Sequence, residues 1–201
     1  MLFDSHCHLH LSQYDNDREE VIRRLKEAGI KVINVGTDFV DSKKAVELAL
    51  KYPEVMNASV GLHPSDALKS DFNSGVFKEL AKGEIVVAIG ECGLDYFRSP
   101  SETEITKQKE IFEKQIEIAK ELKKPLVIHC RASDNKNTYS DMLDILVSYR
   151  LSLVSGNGVV HFFAGSKETA KKFLDLGFYI SFAGPITFAS EYREIVEFIP
   201  I

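Results

Sequence analysis

The sequence predicts a (β/α) barrel of the TIM type. Residues 1–201 read as one domain of seven β/α units, with the eighth strand missing. Three observations predict it. Short apolar runs alternate strictly with longer segments of helical periodicity, the pattern of parallel strands joined by right-handed crossovers. The runs are continuous rather than alternating, as strands covered on both faces must be. Five of the six histidines and one glutamate fall at the carboxyl ends of predicted strands, the face where barrel active sites form. A doubly wound open sheet is the alternative with the same alternation.

Taken in order, Leu2 and Phe3 lead into Asp4-Ser5-His6-Cys7-His8-Leu9-His10 as the first strand. A helix is predicted over 17–28, with Val21, Ile22 and Leu25 on one face and Gly29 as its stop. The second strand covers 31–36. Asp41 or Ser42 can cap the helix that follows, and Pro53 ends it. The third strand, 55–61, runs into Gly61-Leu62-His63-Pro64, and a short helix covers 73–81. The fourth strand, 84–90, runs into Glu91-Cys92-Gly93-Leu94-Asp95, and a long helix spans 101–122. Strands over 125–129, 158–162 and 178–181 then alternate with helices over 138–147, 166–176 and 189–198. No linker, repeat or low-complexity segment interrupts the pattern.

Composition narrows the function. The chain is 44% hydrophobic and 27% charged, with a formal net charge of -5, so no broad basic face is available to wrap a duplex. A nucleic-acid substrate then requires positive charge supplied locally by metal ions. Three cysteines, an odd number, argue against a disulfide framework. No secretory signal and no apolar run near the ~18 residues of a membrane span are present, so a cytoplasmic protein is expected.

In an extended strand, residues i and i+2 share a face, so His6 and His8 project together and Cys7 points away. His63, Glu91, His129 and His161 end four further strands and converge on the same face of the barrel. Neutral imidazoles and carboxylates are the donors of a catalytic metal site that keeps coordination open for water and substrate. A lone carboxylate after Val86-Val87-Ala88-Ile89-Gly90 is costly to bury without a cation or hydrogen bonds. Glu91 could bridge two metals roughly 3.5–4 Å apart, or pair with Arg131 in a salt bridge. His10 is read as a surface residue. The cysteines, each beside a candidate ligand, are expected to face away from the site. There is no Gly-x-Ser-x-Gly elbow, no P-loop and no dinucleotide fingerprint.

These motifs resemble the TatD family of metal-dependent hydrolases within the amidohydrolase-like barrels. The resemblance rests on DSHCHLH at 4–10, GLHP at 61–64, IGECGLDY at 89–96, PLVIHCR at 125–131, VVHFFAGS at 159–166 and YISFAGPITF at 179–188. It implies one or two divalent ions (Mg, Mn or Zn) and hydrolysis of phosphodiester bonds in DNA. Position by position, it implies His6, His8 and Glu91 at a first metal and Glu91, His129 and His161 at a second. His63 falls near the substrate phosphate, and the resemblance implies that Asp95 and Arg131 touch either a metal-holding side chain or the substrate. Family members continue into an eighth strand with a Thr-Asp-x-Pro type motif, absent from these 201 residues. The expectation is therefore a truncated chain or a seven-stranded barrel, with weakened activity and unequal metal sites. The segment between Arg131 and Val159 is also longer and more polar than the family spacing suggests. Amide, lactone or aminoacyl-ester hydrolysis, or a non-catalytic barrel, are the competing expectations.

Overall fold

In a computed structural model, residues 2–69, 72–97, 100–133, 137–150 and 156–199 are described. The seven expected strands form as β1 (Leu2–Cys7), β2 (Ile30–Val35), β3 (Met56–Val60), β4 (Val86–Asp95), β5 (Leu126–Arg131), β6 (Gly158–Val160) and β7 (Phe178–Ile180). All pair in parallel with their chain neighbours, in the order β1 to β7. That sequential order excludes the doubly wound alternative, whose strand order reverses at a switch point. The sheet also curls. In a flat sheet, β1 and β6 would lie about 24 Å apart, yet the rings of His6 and His161 stack 3.8 Å apart.

Between the strands run α1 (Arg18–Glu27), α2 (Phe39–Lys51), α3 (Ser74–Ala81), α4 (Glu102–Leu122), α5 (Thr138–Tyr149), α6 (Lys167–Asp175) and α7 (Arg193–Phe198). Their starts follow local capping chemistry. Ser101 and Glu104 close a reciprocal capping box on α4, and Asn73 caps α3. Asp38, rather than Asp41 or Ser42, caps α2 by accepting from the Asp41 amide. The last helix is shorter than the sequence suggests, because residues 190–192 form a separate 3-10 turn. Part of the polar stretch after Arg131, residues 134–136 and 151–155, lies outside the described residues.

Two apolar layers sandwich the sheet. The larger one packs the helices on its outer face. A small inner cluster of Val35, Ala88 and Val127, with Ile33 and Val159 against it, fills the concave side. Side-chain alternation then dictates the site: two residues beyond Val127 is His129, and two beyond Val159 is His161. The inner cluster is thus the apolar floor under the strand-end residues.

Two buried glutamines, seven residues apart on one face of α4, hold the strand-end loops. Gln115 accepts from the Leu62 amide at 2.8 Å and donates to the Leu62 carbonyl at 3.0 Å. Gln108 does the same for Asp95, at 2.8 and 3.1 Å. A side-chain amide with one donor and one acceptor satisfies both polar groups of a single residue. Replacing Gln115 with Leu leaves the buried Leu62 amide and carbonyl unpaired, so Gln115→Leu is expected to lose about 3 kcal/mol. Thermal unfolding should fall by roughly 6 °C or more; an unchanged melting temperature would contradict the clamp.

Candidate metal centre

Glu91 is the hub. It lies inside β4, because that strand continues through Asp95 rather than stopping at Gly90. Its side chain is only 5% exposed. Oε1 lies 2.8 Å from His161 Nε2, 2.9 Å from His129 Nδ1 and 3.4 Å from His63 Nε2. Oε2 lies 3.4 Å from His6 Nε2 and 3.8 Å from His8 Nε2. Burial pushes the Glu91 carboxyl up, but hydrogen bonds from His129, His161, His6 and His63 outweigh it and hold the group well below the usual range. Burial likewise holds the His6 imidazole down.

All six strand-end residues singled out in the sequence therefore meet around one carboxylate. Their placement differs in detail. β1 ends at Cys7, so His8 lies just beyond the strand, and the β1–β2 register shifts between Asp4 and Cys7. The Nε2 atoms of His6 and His8 nevertheless lie 3.0 Å apart. Arg131 makes no salt bridge with Glu91; it is exposed, and its guanidinium stacks on Phe97. The three cysteines are free thiols turned away from the centre, Cys92 and Cys130 buried and Cys7 donating to the Ile33 carbonyl. Burial pushes the Cys7 thiol up to about 12, far from thiolate chemistry.

His10 is not a surface residue. It is buried, with Nδ1 3.0 Å from the Asn34 Oδ1 and Nε2 2.9 Å from the Asp41 Oδ1. The chain turns after β1, which carries His10 beneath α2 and away from the Glu91 cluster.

The hydrogen bonds on the far side of each ring decide which nitrogen faces the centre. His8 Nδ1 sits 2.7 Å from the Val35 carbonyl, which can only accept, so Nδ1 carries the proton and Nε2 presents a lone pair. His63 is the reverse. Its Nδ1 accepts from the Ser65 amide at 3.2 Å, so in the neutral ring Nε2–H points at Glu91. His129 Nε2 lies 2.9 Å from the Asp95 Oδ2, which turns its Nδ1 toward Glu91. A carboxylate behind a ligating histidine fixes its orientation and raises its basicity. Asp95 is thus a positioning group for His129. Period-two alternation points to this role, since Glu91 and Asp95 lie an even number of residues apart on β4.

Among the described residues, two groups of three donors lie within 4.8 Å of one another: His6, Glu91 and His161, and His63, Asp95 and His129. The donor set fits a divalent cation. The His8 lone pair faces the buried Glu91 carboxylate, and the His6 and His8 Nε2 atoms lie 3.0 Å apart, an arrangement that a proton or cation between them relieves. The second group is less apt, because His63 turns an N–H rather than a lone pair inward.

A family model described as TatD related DNase matches residues 3–201. The chain is 40% identical over 204 residues to an uncharacterized metal-dependent hydrolase, YabD, of Bacillus subtilis, covering 100% of this chain and 76% of that one. It is 34% identical over 204 residues to the 3'-5' ssDNA/RNA exonuclease TatD of Salmonella typhimurium, covering 99% and 75%. Among solved structures, YJJV, a TatD homolog from Escherichia coli, superposes with a TM-score of 0.83 at 29% identity, over 99% of this chain and 75% of that one.

Burial pushes the His129 imidazole down, but the Asp95 and Glu91 carboxylates prevail and raise it to about 9. A raised imidazole gives stability that is full below its ordinary value near 6.5 and is lost as pH rises through about 9. In metal-free protein, the melting-temperature gap between wild type and Asp95→Asn should be wide near pH 7 and should narrow above pH 9. A gap that stays constant across that range would disprove a charged His129 between the two carboxylates.

Proposed function

The chain belongs to the TatD-related DNase family, and we propose that it is a divalent-metal-dependent nuclease cleaving phosphodiester bonds of single-stranded nucleic acid. The observation that carries this reading is the convergence of five imidazoles on the buried Glu91 carboxylate at the strand ends. The relatives named as 3'-5' ssDNA/RNA exonucleases support a substrate with a free 3' end.

His6, His8 and Glu91 are the residues that would hold one ion, and Glu91, His129 and His161 those that would hold a second. A divalent cation there supplies Lewis-acid polarisation of a phosphoryl oxygen and lowers the pKa of water. A set dominated by imidazole suits Zn²⁺ better than Mg²⁺, with Mn²⁺ between them. Glu91 presents one oxygen to each side of the centre. Asp95 keeps His129 turned inward, and the Val35 carbonyl does the same for His8.

His63 has a different role. With Nδ1 occupied by the Ser65 amide, its Nε2–H, which faces Glu91 at 3.4 Å in the absence of substrate, would donate to the phosphoryl oxygen on which negative charge develops. It acts as a hydrogen-bond donor to substrate and not as a ligand. Chemistry of this kind leaves Glu91 and His63 as the two catalytic side chains of the chain's own making.

Degradation of a 5'-labelled single-stranded oligonucleotide in Mn²⁺ or Mg²⁺ tests the reading, with lactone and aminoacyl-ester substrates run in parallel. Glu91→Ala is expected to lose both bound metal and activity. His63→Ala is expected to keep its metal and to lose roughly 10²-fold in kcat, as removal of an oxyanion donor does. Wild type and Glu91→Ala with equal activity, or turnover of the lactone or aminoacyl ester alone, would sink it.

A further inference from the structure

Beside the Glu91 centre opens a cavity of about 620 Å³, with His63, Asp95 and His129 in its floor and Phe97 and Arg131 in its wall. Phe97 is 52% exposed although it directly follows the fully buried Tyr96. Its ring is not needed by the core. The Arg131 guanidinium carbon lies 3.6 Å from the Phe97 ring centroid, a tight face-on stack. Strand pairing builds this arrangement: Asp95 and Arg131 are register partners on β4 and β5, and the Tyr96 amide donates to the Arg131 carbonyl at 2.8 Å.

The stack is tied rigidly to the metal-binding residues. Asp95 Oδ1 accepts from the Phe97 amide at 3.0 Å while Oδ2 holds His129 at 2.9 Å. His129 in turn meets Glu91 at 2.9 Å. Charge distinguishes Arg131 from its neighbours. Lys69, also lining the cavity, is paired with Asp66 at 2.8 Å. Glu104 is turned into the cap of α4, accepting from the Ser101 amide at 2.7 Å. Among the described residues, no carboxylate pairs with the Arg131 guanidinium.

We infer that Phe97 and Arg131 form a nucleotide subsite, in which the base next to the scissile phosphate stacks on Phe97 and the flanking phosphate is held by Arg131. The inference rests on the nuclease reading and adds to it where the substrate lies. Every nucleobase offers a π-face, so an exposed aromatic ring takes any base in sequence-tolerant fashion. A guanidinium can stack with its plane and donate to phosphate with its edge at the same time. A duplex presents no unstacked base to such a ring, so the subsite selects single strands. The chain carries a net negative charge, so a cation beside the centre that no carboxylate pairs among the described residues is informative.

Fluorescence anisotropy tests the subsite, with a phosphorothioate-linked oligothymidylate and an abasic oligomer of equal length as probes, both in Mg²⁺. Wild type is expected to bind the oligothymidylate about tenfold more tightly, the scale of one base–aromatic stack. Phe97→Ala should lose about that factor on the oligothymidylate, Phe97→Tyr should keep it, and Arg131→Gln should weaken both probes. Equal affinity of wild type for the two probes, no binding of either, or undiminished oligothymidylate affinity in Phe97→Ala overturns the subsite. The wild-type comparison needs no folded variant. Base-dependent binding without Mn²⁺-dependent cleavage of an unmodified oligothymidylate would uphold the subsite and overturn the nuclease reading.

Discussion

A carboxylate buried at the strand-end mouth of the curled sheet is the constraint on which the rest of this structure depends. An unpaired buried charge is costly, and Glu91 lies on a strand whose neighbours are almost wholly apolar. Its compensation comes from His6 on β1 and His8 just after it, His63 after β3, His129 on β5 and His161 after β6. No flat sheet brings those strands within reach of one side chain. Curling the sheet and satisfying Glu91 are the same geometrical requirement. The stack of His6 on His161 is the point at which distant strands meet.

The centre is prepared one layer out. Three unrelated acceptors or donors set three imidazoles: a strand carbonyl behind His8, the Ser65 amide behind His63, and the Asp95 carboxylate behind His129. Each fixes which ring nitrogen faces inward, and they do not all choose the same way. His8 turns a lone pair to the centre, whereas His63 turns a proton. A cluster of histidines that merely filled space would need no such division. α4 supports the arrangement through Gln108 and Gln115, which fix the backbone at the roots of Asp95 and His63. Polar side chains on a buried helix face are tolerated there because each finds a matched donor and acceptor.

Much of this was legible in the sequence because the parallel barrel couples strand ends to one face. Continuous apolar runs gave the strands, and their last residues gave Glu91 and its histidines. What escaped were the places where a neighbour in space, not in sequence, decides. His10 reads as one more histidine of the first motif, but the turn after Cys7 sends it to Asn34 and Asp41 beneath α2. The α2 cap fell to Asp38 because its extended backbone lets the side chain reach the Asp41 amide. Asp95 was named through the resemblance, but its pairing with His129 was not, because that pairing depends on the β4–β5 register. The pairing of Ser65 with His63 follows from a 3-10 turn that starts at Pro64 and has no periodic signature.

Electrostatics join the centre to the wall beside it. The protein is acidic, and a nucleic acid is a dense polyanion, so long-range attraction is not what brings them together. Attraction must be local and must coincide with the reacting bond. Cations that Glu91 and the histidines would hold supply it at one end, and the Arg131 guanidinium, which no carboxylate pairs among the described residues, supplies it at the other. Asp95 stands between the two, accepting from the Phe97 amide with one oxygen and from His129 with the other. A displacement of the Phe97 loop is therefore transmitted to the orientation of a metal-facing imidazole through a single carboxylate. On the proposed reading, Asp95 would couple substrate placement to the orientation of His129.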